Sequence, residues 1–154
     1  SLKLKTEEFP VIKLIDEISL EVASQLNEKR GTIMIETPLP KIKADRIRLM
    51  QVFSNLISNS IKYACPERDL SIRIGYQMKP NTHVFYVRDN GTGIEKEHLD
   101  SIFDIFFRAH EGDTEGTGIG LSIVKKAVSV MGGEIWVNSE RGVGTVFYFS
   151  LPTE

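Results

Sequence analysis

Apolar residues at Val11, Ile12, Leu14, Ile15, Ile18, Val22 and Leu26 recur at helical spacing, predicting a first helix over residues 11–30 with Gly31 as its stop signal. The short β-branched run Thr32-Ile33-Met34-Ile35-Glu36 reads as a strand, ended by Pro38-Leu39-Pro40. Asp45 is placed to cap a second helix that runs to about Ala64 and stops before Pro66. Strands are predicted over residues 70–77 and 83–88, joined by the turn-rich Lys79-Pro80-Asn81. A glycine-dense region follows, broken by a short helical stretch near residues 95–105. A third long helix spans about residues 120–131, with Gly132-Gly133 as its cap. The chain closes with a hairpin: residues 134–138 and 145–149 are antiparallel neighbours around Glu140-Arg141-Gly142-Val143-Gly144. Three long helices and about six strands do not alternate as a parallel α/β fold would. They fit an α+β two-layer sandwich, a mixed and mostly antiparallel sheet with helices on one face.

The second helix is amphipathic in an unusual way. Leu49, Phe53, Leu56, Ile57, Ser60 and Ala64 fall on one side, and Arg48, Gln51, Asn55, Asn59 and Lys62 on the other. A solvated face is the plain explanation, yet such faces are usually built from Glu, Lys, Gln and Arg, because an asparagine amide competes for backbone bonds. Two asparagines one turn apart, in line with a lysine, also suit oxygen ligands for a hard cation beside an anion. Magnesium takes few protein oxygens and completes its shell with water and phosphate.

Composition narrows the classes. The 154 residues are 41% hydrophobic and 26% charged, with a formal net charge of −2, which suits one folded domain and excludes wholesale disorder. No apolar run is long enough to span a bilayer, and Ser1-Leu2-Lys3-Leu4-Lys5 lacks a signal's apolar core. The lone Cys65 rules out a disulfide framework and a thiolate metal cluster, which favours a reducing compartment. The near-neutral charge offers no field for nucleic acid.

Two glycine-rich segments carry candidate chemistry. Asp89-Asn90-Gly91-Thr92-Gly93 follows directly on a strand. A turn accounts for Asn90-Gly91, but the second glycine and the strand-end carboxylate suggest more. The glycines would let backbone approach a ligand, and Asp89 could accept a hydrogen bond from an exocyclic amine. Gly116-Thr117-Gly118-Ile119-Gly120-Leu121 runs into the third helix, where free N–H groups and the helix dipole favour an anion. Its spacing is not that of a dinucleotide fingerprint, no βαβ unit surrounds it, and the Gly-Lys-Ser/Thr of a P-loop is absent. Between the two loops, Phe103, Phe106, Phe107, Arg108 and the polar run 111–115 read either as a surface connection or as a lid with Arg108 reaching a phosphate.

In order and together, these segments resemble the ATP-binding catalytic domain of two-component sensor histidine kinases, within the gyrase, chaperone and mismatch-repair (GHKL) superfamily. Residues 51–64 look like the N box, Asp89-Asn90-Gly91-Thr92-Gly93-Ile94 like the G1 box, and Phe103-Asp104-Ile105-Phe106-Phe107-Arg108 like the F box. Gly116 to Leu121 are similar to the G2 box, and Gly142-Val143-Gly144-Thr145 to the last glycine box.

The resemblance implies a Bergerat fold that binds ATP or ADP with Mg2+. By it, Asp89 takes the adenine amine, Asn59 coordinates magnesium, and Asn55 orders the metal's water or the phosphate tail. Lys62 and Arg108 contact phosphate oxygens, and with Asn55 form the catalytic set. Tyr63, Gly91, Gly93, Ile94 and Thr145 line the nucleotide pocket, and the backbone of Gly116, Thr117, Gly118, Ile119, Gly120 and Leu121 holds the triphosphate. Ser60 stands where the family usually has alanine.

None of His83, His98 and His110 carries the family's acceptor pattern, so the phosphoacceptor histidine is expected on a dimerisation domain outside this chain. Residues 1–10 then read as the end of the connection from it, and residues 11–154 as the catalytic domain. The expected partners are that domain and a downstream response regulator, with no nucleic acid and no direct membrane contact. The isolated domain is expected to be a cytoplasmic monomer, whether or not its parent is membrane-anchored. A nucleotide-binding regulatory module, an anti-sigma-type serine kinase and an ATP-gated machine of the chaperone kind are the rival readings.

Overall fold

The computed structural model describes residues 3–104 and 120–153. Its order is β1 (Thr6–Pro10), α1 (Val11–Glu21), α2 (Ala23–Glu28), β2 (Thr32–Ile35), β3 (Lys41–Asp45), α3 (Arg46–Lys62), β4 (Ser71–Lys79), β5 (Thr82–Asp89), a 3₁₀ turn (Lys96–His98), α4 (Gly120–Val130), β6 (Ile135–Glu140) and β7 (Gly144–Pro152). Five strands form one mixed sheet in the order β2-β4-β5-β7-β6, where only β2 and β4 run parallel.

Strand alternation turns Ile72, Ile74, Phe85, Val87, Phe147 and Phe149 toward the helices and leaves Arg73 and Arg88 on the open face. Phe53 of α3 sits at the centre of that layer, edge-on to Phe85 and Phe149 at centroid distances of 5.6 and 5.2 Å. The expected two-layer α+β arrangement is therefore the observed one.

Several expected elements change in detail. The first helix is broken at Val22, which has φ −100° and ψ 8°. The steps Ile18, Val22, Leu26 are four residues each, so on one straight helix they would walk the apolar stripe by about 40° per step. With the break, both Val22 and Leu26 are buried. At the end of α2 the left-handed residue is Arg30 (φ 49°), not the glycine beside it. Gly31 is needed for space instead: a Cβ there would lie 3.0 Å from Leu26 Cδ2 and 3.3 Å from Leu70 Cβ.

Thr6–Pro10 is a strand paired antiparallel with Lys41–Asp45. Neither member of this small sheet is among the strands expected from the sequence. Asp45 caps α3 as expected, its Oδ1 accepting from the Arg48 N–H at 3.1 Å, while Oδ2 accepts the Lys5 N–H at 3.1 Å and so holds β1. Among the described residues, the helical stretch expected near residues 95–105 holds the three-residue 3₁₀ turn Lys96–His98. No helix among the described residues is long and apolar enough to cross a membrane.

Candidate functional site

Asp89 is the last residue of β5, paired with Ile72 on one side and Thr145 on the other, and only 8% exposed. Its Oδ1 accepts the Gly91 N–H at 2.9 Å and its Oδ2 accepts the Ser60 hydroxyl at 2.8 Å. Burial pushes the carboxyl above its ordinary range, and the hydrogen bonds from Gly91, Ser60 and the Thr145 backbone pull it part of the way back. A buried carboxylate whose oxygens are this firmly oriented is a preformed acceptor. Ser60, fully buried on α3, thus has its partner in Asp89.

The same bond anchors the end of α3 to the end of β5. Asn59 precedes Ser60 on that turn; it is half-buried, and its amide makes no side-chain hydrogen bond to another described residue. One turn earlier, the Asn55 amide nitrogen donates to the Gln51 carbonyl at 2.8 Å, which leaves its oxygen free of that bond. A Cβ on Gly120, the first residue of α4, would lie 3.2 Å from this oxygen. α4 packs against α3, and Asn55 and Asn59 are half-buried while Gln51 of the same stripe is exposed. At the C-terminal end, the Lys62 ammonium stands 5.1 Å from the centroid of the Tyr63 ring.

The glycines of the loop after Asp89 make room for protein backbone. A Cβ on Gly91 would lie 2.5 Å from the Tyr63 carbonyl oxygen, which also accepts the Thr92 N–H at 3.0 Å. Gly93 adopts φ +78°, and a Cβ on it would lie 2.2 Å from the Glu140 carbonyl. Ile94 and Thr145 meet through Ser139, whose hydroxyl accepts the Ile94 N–H at 2.8 Å and lies 2.8 Å from Thr145 Oγ1.

The structure thus brings Asp89, Gly91, Gly93, Ile94 and Thr145 to the end of α3 that carries Asn59, Lys62 and Tyr63, with Gly120 and Leu121 opening α4 beside Asn55. Arg108, Gly116, Thr117, Gly118 and Ile119 lie outside the described residues.

Sequence reasoning missed Ser139 and Arg68, which hold this loop in place; neither belongs to a recognisable pattern. Among the described residues no group of three or more His, Cys, Asp or Glu could hold a metal ion. A cation here would rest on an amide oxygen, water and a ligand's own anionic oxygens, which is the donor set magnesium tolerates.

Residues 44–154 match the family described as histidine kinase-, DNA gyrase B-, and HSP90-like ATPase. The methanogenesis regulatory histidine kinase FilI of Methanothrix harundinacea is 33% identical over 141 residues, covering 92% of this chain but only 16% of FilI. The catalytic domain of histidine kinase ThkA, in a nucleotide-free form, superposes with a TM-score of 0.82 at 31% identity, over 97% of each chain. ThkA in complex with the response regulator protein TrrA gives a TM-score of 0.78 at 28% identity, over 98% of this chain and 42% of that one. Full-length ShkA in complex with AMPPNP gives a TM-score of 0.85 at 28% identity, over 98% of this chain and 32% of that one.

Proposed function

This chain belongs to the histidine kinase-, DNA gyrase B- and HSP90-like ATPase family, as a histidine kinase catalytic domain, and on that premise we propose that it binds Mg-ATP and presents the γ-phosphoryl group to a histidine on a separate dimerisation and phosphoacceptor domain. The observation that carries this reading is the buried Asp89 carboxylate, oriented by Gly91 and Ser60 and joined through Ser60 to the turn that bears Asn59. An acceptor fixed in a low-dielectric corner discriminates for an exocyclic amine, since an analogue without that donor leaves the carboxylate's ligand-facing acceptor position unfilled.

In this reading Asp89 accepts the adenine amine, while Tyr63, Ile94 and Thr145 line the base end. Asn59 offers its amide oxygen to the metal, and Asn55 orders a water or the phosphate tail. Lys62 and Arg108 hold phosphate oxygens, with the backbone of residues 116–121 at the helix start. The nucleotide supplies the phosphoryl group, and magnesium neutralises charge on the phosphates. The chain's own work is positioning and electrostatic preorganisation, which is most of what phosphoryl transfer requires.

The complex of ShkA with AMPPNP supports the nucleotide, and that of ThkA with TrrA supports a response regulator as a downstream partner. Ion binding through Asn59 and the placement of the acceptor histidine outside residues 11–154 rest on the chemistry of the donor set and on the family.

The test is a titration with ADP and magnesium, followed by mixing with a histidine-bearing dimerisation domain and labelled ATP. Acid-labile phosphate on that domain is expected. Nucleotide binding without transfer to any such domain would favour a regulatory module, and absence of binding would end the reading.

A further inference from the structure

Arg68 lies in the connection between α3 and β4, outside every motif in the sequence. Its Nε donates to the Asn90 carbonyl at 2.7 Å, and its Nη2 to the carbonyls of Gly91 at 2.8 Å and Gly142 at 3.0 Å, with Val143 at 3.4 Å. Two of these carbonyls belong to the loop that follows Asp89, and two to the tip of the β6–β7 hairpin. The neighbouring acid, Asp69, is paired with Arg30 at 2.8 Å, so the Arg68 guanidinium is spent on backbone oxygens.

The consequence lies in one residue. Gly91 donates its N–H to Asp89 Oδ1 and accepts from Arg68 at its carbonyl, so it is held from both sides. The Asn90 side chain repeats the anchoring, its Oδ1 accepting the Ser71 N–H at 2.8 Å and its Nδ2 donating to the Asp69 carbonyl at 3.0 Å. Across the hairpin, Gly142 donates its N–H to the Thr92 carbonyl at 2.8 Å, so the two segments bridged by Arg68 also touch directly.

We propose that Arg68 is a positioning residue for nucleotide recognition: by tying the Asn90–Gly91 backbone to the hairpin tip it fixes the donor that orients the Asp89 carboxylate, and thereby sets the preference for a base bearing an exocyclic amine. This rests on the nucleotide reading above. A planar fork with several N–H groups can serve converging carbonyls together, whereas a lysine ammonium on a flexible stem holds them less rigidly.

The experiment compares the parent chain with Arg68→Ala and Arg68→Lys by titration with ADP and with inosine diphosphate, which carries a carbonyl in place of the amine, alongside melting without nucleotide. Weak binding of the inosine nucleotide is read by competition. Arg68→Ala is expected to lose about tenfold in ADP affinity with little change for inosine diphosphate, so that the ratio of the two narrows. Arg68→Lys should recover only part of the ratio.

A merely structural role would lower the melting temperature and weaken both nucleotides alike, and that outcome overturns the proposal, as does an unchanged ADP affinity. Should Arg68→Ala fail to fold, the ratio in Arg68→Lys decides, and a parental ratio there refutes the proposal. A parent chain that binds no ADP would instead refute the nucleotide reading itself.

Discussion

The hydroxyl of Ser60 donates to Oδ2 of Asp89 across 2.8 Å, joining the buried face of α3 to the end of β5. Both side chains are buried, so solvent does not stand in for either partner. This bond both orients the carboxylate and favours its ionised form against the burial that opposes it.

Ser60→Ala removes one donor from that carboxylate. The proton then binds Asp89 more tightly, so the acid limb of nucleotide affinity moves to higher pH, and affinity near neutrality falls by up to about tenfold, or ~1.4 kcal/mol. Titrations across the acidic range check this. An unmoved limb would show that Ser60 only fills space.

Asp89→Asn keeps the local bonds, since the amide can donate to Ser60 Oγ and accept from Gly91, but it turns a donor toward the incoming amine. Nucleotide binding is expected to disappear in practice, at a loss of at least about 1.5–3 kcal/mol. Stability should move the other way. The folded pKa of Asp89 lies above its unfolded value. Between those two values the folded chain therefore holds a proton that the unfolded chain has released. Stability from this group falls as pH rises through that window and stays at the lower level above it. The variant should accordingly melt higher than the parent at neutral pH, with the gap narrowing on acidification. Melting curves at several pH values without nucleotide provide the check.

Asn59→Ala should leave melting close to the parent's, because the side chain is half-buried with no side-chain hydrogen bond to another described residue. The loss should appear in the magnesium-dependent part of ADP affinity, read as the difference between titrations with the metal and with a chelator. If parental ADP affinity is the same under both conditions, Asn59 holds no metal.

Two hairpin-region glycines separate backbone strain from crowding. Gly142 has φ +87° with open space around a Cβ, so Gly142→Ala should cost about 1 kcal/mol for the left-handed conformation alone. Gly93 has φ +78° and a carbonyl oxygen 2.2 Å from the Cβ position, so Gly93→Ala must also push β6 away. Its cost should be clearly larger, about 2–4 kcal/mol, in urea denaturation. Equal costs would mean that the loop shifts freely from the hairpin.

Much of this chain is written locally. The cap at Asp45, the apolar face of α3, the Gly132 stop after α4 and the closing hairpin all follow from side-chain periodicity and turn chemistry, because the interactions involved span only a few residues. The order of the glycine-rich segments likewise pointed to the family without any coordinates.

Tertiary structure alone decided which distant backbone meets each of these segments. Thr6–Pro10 became a strand only because Lys41–Asp45 lies beside it, and its sequence shows a single buried apolar side chain. The approach of Gly120 to Asn55, the seating of Gly91 and Gly93 on Tyr63 and Glu140, and the hold of Arg68 on the loop after Asp89 are all long-range contacts. Periodicity states which face of an element must be covered. What covers it is settled by the packing of the whole chain, where a carbonyl far along the sequence can occupy the space that a glycine leaves.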